Sequence, residues 1–324
     1  MTAWGDLAVR ARGIGTRLLG RDRLEALAHA QDLQSLALEL ERAGYERITP
    51  IERAVRRRIA AHTHTLERWA GDRARALAVV FEEQDVRDLR ALLRGALAGA
   101  PAELRHAATI PTASLPERAL GELAHLGTAG EIATVLVLFR HPYADAIASE
   151  AYREVPRAFV LETLLYRRFA ERALAGARDR ALRDFVEETI DVQNALAAIE
   201  LARQGEGTDP RDCFVEGGAR VGWRNFETAS KVDVREAVRE LAVRFGKSEL
   251  AIALSRTPAA LDDAVLAARI AEHARVARLD PVGPAPVLHY VLRLRAEAAD
   301  VRRIAAGVAL GAPADVLISQ LVTQ

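Results

Sequence analysis

The sequence predicts an all-α protein, and three observations carry that expectation. Apolar residues recur at spacings of three and four along most of the chain, as one buried helix face requires; Leu33, Leu36 and Leu40 set the pattern. The Val/Ile alternation that marks a half-buried strand is nearly absent. Helix-starting and helix-stopping residues also punctuate the chain: Thr49-Pro50, Gly99-Ala100-Pro101, Thr208-Asp209-Pro210, Gly217-Gly218, Thr257-Pro258 and Asp280-Pro281.

Taken in order, the helical rhythm first appears over 33–40. It returns over 74–97, 160–174, 181–201, 261–276 and 287–310. The best strand candidate is 132–139. Thr128 is a start signal before it and His141-Pro142 a stop after it, so it reads as a buried helix.

Composition narrows the class. In 324 residues, 45 Lys+Arg balance 45 Asp+Glu, so no general field draws in nucleic acid or an acidic membrane. Half the residues are apolar, which excludes wholesale disorder. A single cysteine, Cys213, excludes an internal disulfide framework and any multi-cysteine metal site, and implies cytosolic-type chemistry. Asp6, Arg10, Arg12 and Arg17 interrupt the apolar residues of the N-terminal stretch, unlike a signal peptide. The longest apolar runs are about six residues, against roughly 20 for a membrane span. A soluble protein that can still sit on a membrane complex is expected. Only Lys231 and Lys247 are lysines, so the arginines read as compositional bias.

Self-similarity is more informative. Ile51-Glu52-Arg53-Ala54-Val55, Leu161-Glu162-Thr163-Leu164-Leu165 and Leu261-Asp262-Asp263-Ala264-Val265 align without gaps, their starts 110 and 100 residues apart. A second marker follows: Asp85-Val86-Arg87-Asp88-Leu89, Asp191-Val192-Gln193-Asn194-Ala195 and Asp300-Val301-Arg302-Arg303-Ile304, at steps of 106 and 109. Glu52, Glu162 and Asp262, with Asp85, Asp191 and Asp300, are thus structural signatures of a repeat. The expectation is three helical units, 1–112, 113–218 and 219–324, forming one three-lobed body with approximate threefold symmetry.

No catalytic constellation emerges. The eight histidines include no His-Glu-x-x-His motif and no pair four apart, and His62 and His64 splay about 200° around a helix. A phosphate loop and a Gly-x-Ser-x-Gly elbow are both absent. Asp262-Asp263 invites comparison with magnesium-dependent terpenoid synthases, yet Leu266 and Ala267 stand where a further carboxylate is needed one turn on. An acidic turn favoured by the helix dipole accounts for the pair better. Cys213 reads as a buried thiol. Arg53, Arg56 and Arg57 share one helix face, either a solvated flank or a possible interface for an anionic partner. No catalytic residue, cofactor or metal is expected. A generic all-α adaptor and, behind it, a terpenoid-type enzyme are the alternatives; solenoid adaptors repeat at roughly 34 to 47 residues, less than half the period here.

An ordered set of segments resembles a known family. It runs from LAVRARGIGTRLL at 7–19 through the leucine-spaced helix ending at Tyr45, then Asp85-Val86-Arg87-Asp88-Leu89-Arg90-Ala91-Leu92-Leu93-Arg94. DVQNALAAIELARQG at 191–205 leads into Phe214-Val215-Glu216-Gly217-Gly218, and Asp280-Pro281-Val282-Gly283 opens the long closing helix through 293–311. The set is similar to the C subunits of bacterial and archaeal vacuolar-type (V/A-type) ATPases, relatives of the d subunits of eukaryotic vacuolar ATPases. Departures are Trp4, where the family often has tyrosine, Gly13 and Gly15 in the first helix, and Arg303 where the second copy has Asn194. The resemblance implies an all-α funnel of three similar units around a pseudo-threefold axis, without catalytic activity. It implies a rotor subunit, single in its complex, between the membrane proteolipid ring and the central shaft on the cytoplasmic face. Such a subunit passes torque between proton or sodium transport and ATP synthesis or hydrolysis, and binds no nucleic acid.

Overall fold

The computed structural model describes residues 4–205, 207–256 and 258–323, and all secondary structure among them is helical. The chain opens with α1 (Gly5–Gly15), α2 (Arg21–Ala28), α3 (Leu33–Arg42) and α4 (Ile51–Ala70). After a 3-10 turn at Gly71–Arg73 come α5 (Ala74–Leu97), α6 (Ala102–Ala107), α7 (Glu117–Ala124), α8 (Ala129–Leu138), α9 (Ala144–Ala151), α10 (Ala158–Gly176) and α11 (Arg180–Gln204). The remainder is α12 (Pro210–Cys213), α13 (Trp223–Ser230), α14 (Val234–Phe245), α15 (Glu249–Leu254), α16 (Pro258–Leu279), α17 (Ala285–Ala309) and α18 (Ala314–Ser319).

Local chemistry sets many of these boundaries. Asp32 and Ser35 cap α3 reciprocally, as Thr128 and Glu131 cap α8, satisfying backbone N–H groups that a first helical turn leaves over. Side chains of Asp179, Asp233 and Ser248 cap α11, α14 and α15. The longest helices stop at a left-handed residue. Gly99, Gly205 and Gly311, two residues or fewer beyond α5, α11 and α17, have φ of 64, 74 and 67°, a conformation that costs a residue with a Cβ about 1–2 kcal/mol. They lie 106 residues apart in both steps. A helix of 19 to 22 residues, one of 24 or 25, then a short one follow in that order three times: α4–α5–α6, α10–α11–α12 and α16–α17–α18.

The chain forms two compact units. One comprises Met1–Gly71 and Arg256–Gln324, the other Asp72–Ser255. In the first, α17 is the central element and packs against α1, α2, α3, α4, α16 and α18. Val287, Leu288, Leu292, Val301 and Ile304 are buried on several sides of it, which removes any single apolar stripe. In the second, α5 packs on α10, α7 and α8, while α11 packs on α10, α13 and α14. Tyr143, Phe169, Phe185 and Phe226 are its largest fully buried side chains.

Two local expectations change. Leu33 is 44% exposed while Leu36 and Leu40 are buried, because Leu33 is the first residue of α3 and overhangs the face that the next turns bury. The 132–139 stretch does form a helix, but only Ile132, Ala133 and Leu136 are buried; Val137, Leu138 and Phe139 are exposed, so α8 covers its neighbours with one face.

Candidate functional site

The buried acidic groups are the natural starting point, since an ionised carboxylate leaves water only when its oxygens are otherwise satisfied. Asp191, on α11, accepts from the backbone N–H groups of Ala219, Arg220 and Val221 at 2.8–3.1 Å, immediately before α13. Gly218 lets that loop approach, because a Cβ there would fall 2.2 Å from Asp191 Oδ1. Asp85, on α5, accepts from Thr112 Oγ1 at 2.5 Å and from Ser114, ahead of α7. Asp300, on α17, accepts from the N–H groups of Val322 and Thr323 at 2.7 and 2.9 Å. Each aspartate fastens the chain that follows its helix. Burial raises the pKa of Asp191 and Asp300, and the backbone donors partly oppose that rise.

The hydrogen bonds also reveal a register. Asp88 accepts from the N–H of Ile110 and Asn194 from that of Val215, 22 and 21 residues on; Asp300 accepts from Val322, again 22 on. Asp88, Asn194 and Asp300 are 106 residues apart in both steps. Asp85, Asp191 and Glu297 form the parallel set at the same interval. Glu297, buried on α17, accepts from the Leu19 N–H just ahead of α2, from Tyr45 Oη and from Arg58 Nε. The bonding therefore groups Asp300 with Asp88 and Asn194, three positions from the pairing that matching aspartates alone suggest. Glu297 was legible only as a step of 106 from Asp191 with glutamate in place of aspartate.

The other marker residues are not alike in their surroundings. Glu162 is buried on α10 and receives both Arg90 and Arg94 from α5. Glu52 lies in the first turn of α4. Asp262 is exposed; it and Asp263 fall in the second turn of α16, past the first-turn position, and Asp263 pairs with Arg303. Arg53 and Arg57 are exposed, Arg57 pairing with Glu46 at 2.7 Å, whereas Arg56 is buried.

The remaining titratable groups are packed. His62 meets the Tyr290 hydroxyl, and burial together with Arg58 pushes its pKa down to about 4. His141 is buried against Tyr143, and burial and Arg172 lower it to about 4. Cys213 is a buried thiol pushed up to about 12, chiefly by burial. Among the described residues no three His, Cys, Asp or Glu side chains converge as a metal site, and no helix is long and apolar enough to cross a membrane. What the arrangement does chemically is hold loops to helices.

A profile of the family described as "ATP synthase (C/AC39) subunit" matches residues 7–319. The chain belongs to that family. It is 28% identical over 286 residues to the C subunit of the Haloferax volcanii A-type ATP synthase, covering 84% of this chain and 81% of the relative. To the C subunit of the Thermus thermophilus V-type ATP synthase it is 29% identical over 267 residues, covering 81% and 79%. The C subunit of the Deinococcus radiodurans V-type ATP synthase is 29% identical over 252 residues, covering 76% and 66%. The span matched to the C/AC39 family contains all the buried carboxylates described here, from Asp85 to Asp300.

Proposed function

We propose that this chain is a non-catalytic rotor subunit of an A/V-type ATP synthase. In this reading it is a socket that links the central shaft to the membrane proteolipid ring and passes torque between ion translocation and ATP synthesis or hydrolysis. The observation that carries the proposal is the family match across 7–319, joined to the names of the archaeal and bacterial relatives. The chain would be present once per complex, peripheral, on the cytoplasmic face.

The interior supports the reading. A torque-bearing part must resist twist, and close-packed helices do so because protein interiors are as dense as organic crystals. Buried carboxylates that bind loop N–H groups suit the same purpose, since moving such a loop strands a desolvated charge. The interval of 106 residues shared by three left-handed glycines and two sets of buried polar residues supports units 1–112, 113–218 and 219–324 as repeats around a pseudo-threefold axis, enclosing a funnel.

The test is reconstitution. Co-expressed with the shaft subunits and the proteolipid ring, the full chain should co-purify with both. Complexes lacking it should hydrolyse ATP without moving ions. Failure to associate with either partner, or magnesium-dependent turnover by the isolated chain, would overturn the proposal.

A further inference from the structure

Within the first unit, α1 and α17 border an open cleft of about 270 Å³, with Arg12 exposed at its edge. Its wall includes Arg12 and Gly15 from α1, and Pro286, His289 and Arg293 from α17. The Arg12 guanidinium donates to the Ala277 carbonyl at 3.3 Å. Arg293 extends along Gly15, where a Cβ would come within 3.9 Å of its Nη1 and 3.4 Å of the Tyr290 ring. Among the described residues neither Arg12 nor Arg293 has a carboxylate partner.

The end of α17 adds to the positive field, whereas His289 adds none. Pro286 belongs to the first turn of the 25-residue α17, so the cleft also meets that helix's positive end. His289 is held neutral, pushed down to about 4, first by burial and then by Arg293, His273 and Arg278. The cleft therefore collects positive charge that nothing in its own wall offsets.

We propose that this cleft binds a phosphate-class oxyanion, clamped between the Arg12 and Arg293 guanidiniums at the N-terminal end of α17. Guanidinium forks match tetrahedral oxyanions through paired charge-assisted hydrogen bonds. Size selects among anions: pockets for larger ligands run from about 300 to 1,000 Å³, so this one takes a free ion or the phosphoryl end of a nucleotide rather than a whole nucleotide. The proposal stands independently of the function assigned above.

The experiment titrates inorganic phosphate, and separately AMP, into the full-length chain while NMR follows the His289 ring. Phosphate should saturate with a Kd of about 1 mM or tighter, and the bound anion should raise the His289 pKa, as an adjacent opposite charge does. Arg12→Gln and Arg293→Gln should each weaken binding about tenfold, the loss of one charge-assisted hydrogen bond; Arg293→Lys should retain most of it. Thermal unfolding of each variant confirms that the fold is kept. AMP binding as tightly as phosphate identifies the phosphoryl end as ligand, and weaker AMP binding identifies the free ion. No saturable phosphate binding, or glutamine variants that bind as the parent does, would refute the site.

Discussion

Asn194 makes both of its amide hydrogen bonds to one residue: its Nδ2 donates to the Val215 carbonyl at 2.8 Å, and its Oδ1 accepts from the Val215 N–H at 3.0 Å. The side chain is fully buried, so the pairing substitutes for water at both groups. The amide serves as donor and acceptor together, whereas an ionised carboxylate only accepts. Asn194→Asp should therefore set a carboxylate against the Val215 carbonyl and cost about 2–4 kcal/mol in urea denaturation. Wild-type stability in that variant would show that the pair carries no weight.

Asp191→Ala removes the shared acceptor of three loop N–H groups. A loss of about 2–4 kcal/mol is expected, since stranded buried donors cost about 1–3 kcal/mol each and the loop recovers part by shifting. The melting temperature should fall while association with the ring, the partner proposed above, changes little when measured well below that temperature. A variant that melts normally yet loses the ring would place Asp191 in the interface instead.

The Glu162 carboxylate and its two arginines are unequal partners. Glu162 is buried, whereas more than half of the Arg94 side chain is exposed and can turn to water. Removing both arginines leaves a buried charge uncompensated, so Arg90→Ala with Arg94→Ala should cost about 3–5 kcal/mol. Glu162→Met, which removes the buried charge itself, should cost clearly less. Chemical denaturation of the two variants side by side decides the order.

Arg140 has φ of 52°, in the left-handed region, at the end of α8. Gly246, 106 residues on, ends α14 with φ of 65°, and Gly44 ends α3 with φ of 90°. Arg140→Gly should relieve the Cβ strain and, after the entropy that glycine returns to the unfolded chain, stabilise by about 0.5–1 kcal/mol. Differential scanning calorimetry would register this as a higher Tm.

His141 gives a pH dependence with a defined sign. Its two ring nitrogens have no hydrogen-bond partner in the protein, and its folded pKa of about 4 lies below the ordinary 6.5. The unfolded chain therefore takes up the proton first. This contribution is complete above pH about 6.5 and is lost as pH falls towards about 4. Stability in that window should decline, with His62 and His289 acting in the same direction. His141→Leu should flatten the decline by at most about 1.4 kcal/mol per pH unit, one proton's share. Urea midpoints at four pH values for both proteins would show it.

Much of the fold was written in local pattern. The apolar spacing of 74–97 matches α5 at both ends, and the left-handed Gly99 just beyond Leu97 accounts for the stop. The recurring glycines were visible for the same reason: backbone demands of that kind are local. Glu297 was harder, since its meaning lies in Leu19, Tyr45 and Arg58, more than 230 residues away. Nor does spacing show that Arg56 is buried while Arg53 and Arg57 are not; that depends on what packs against α4. Pattern identifies which residues share a face, and only long-range packing decides which faces meet water.

The path of the chain through its two units bears on synthesis. The stretch Asp72–Ser255 forms one unit without interruption, whereas the other joins Met1–Gly71 to Arg256–Gln324. On the ribosome the middle stretch can therefore complete its core while translation continues, since contiguous domains fold as units during synthesis. The stretch up to Gly71 must wait for α17, the helix around which it assembles, and meanwhile holds Leu7, Leu24 and Leu36 without their final neighbours. The nascent chain's need for chaperone cover thus falls on the stretch up to Gly71, which is made well before the helix that buries it.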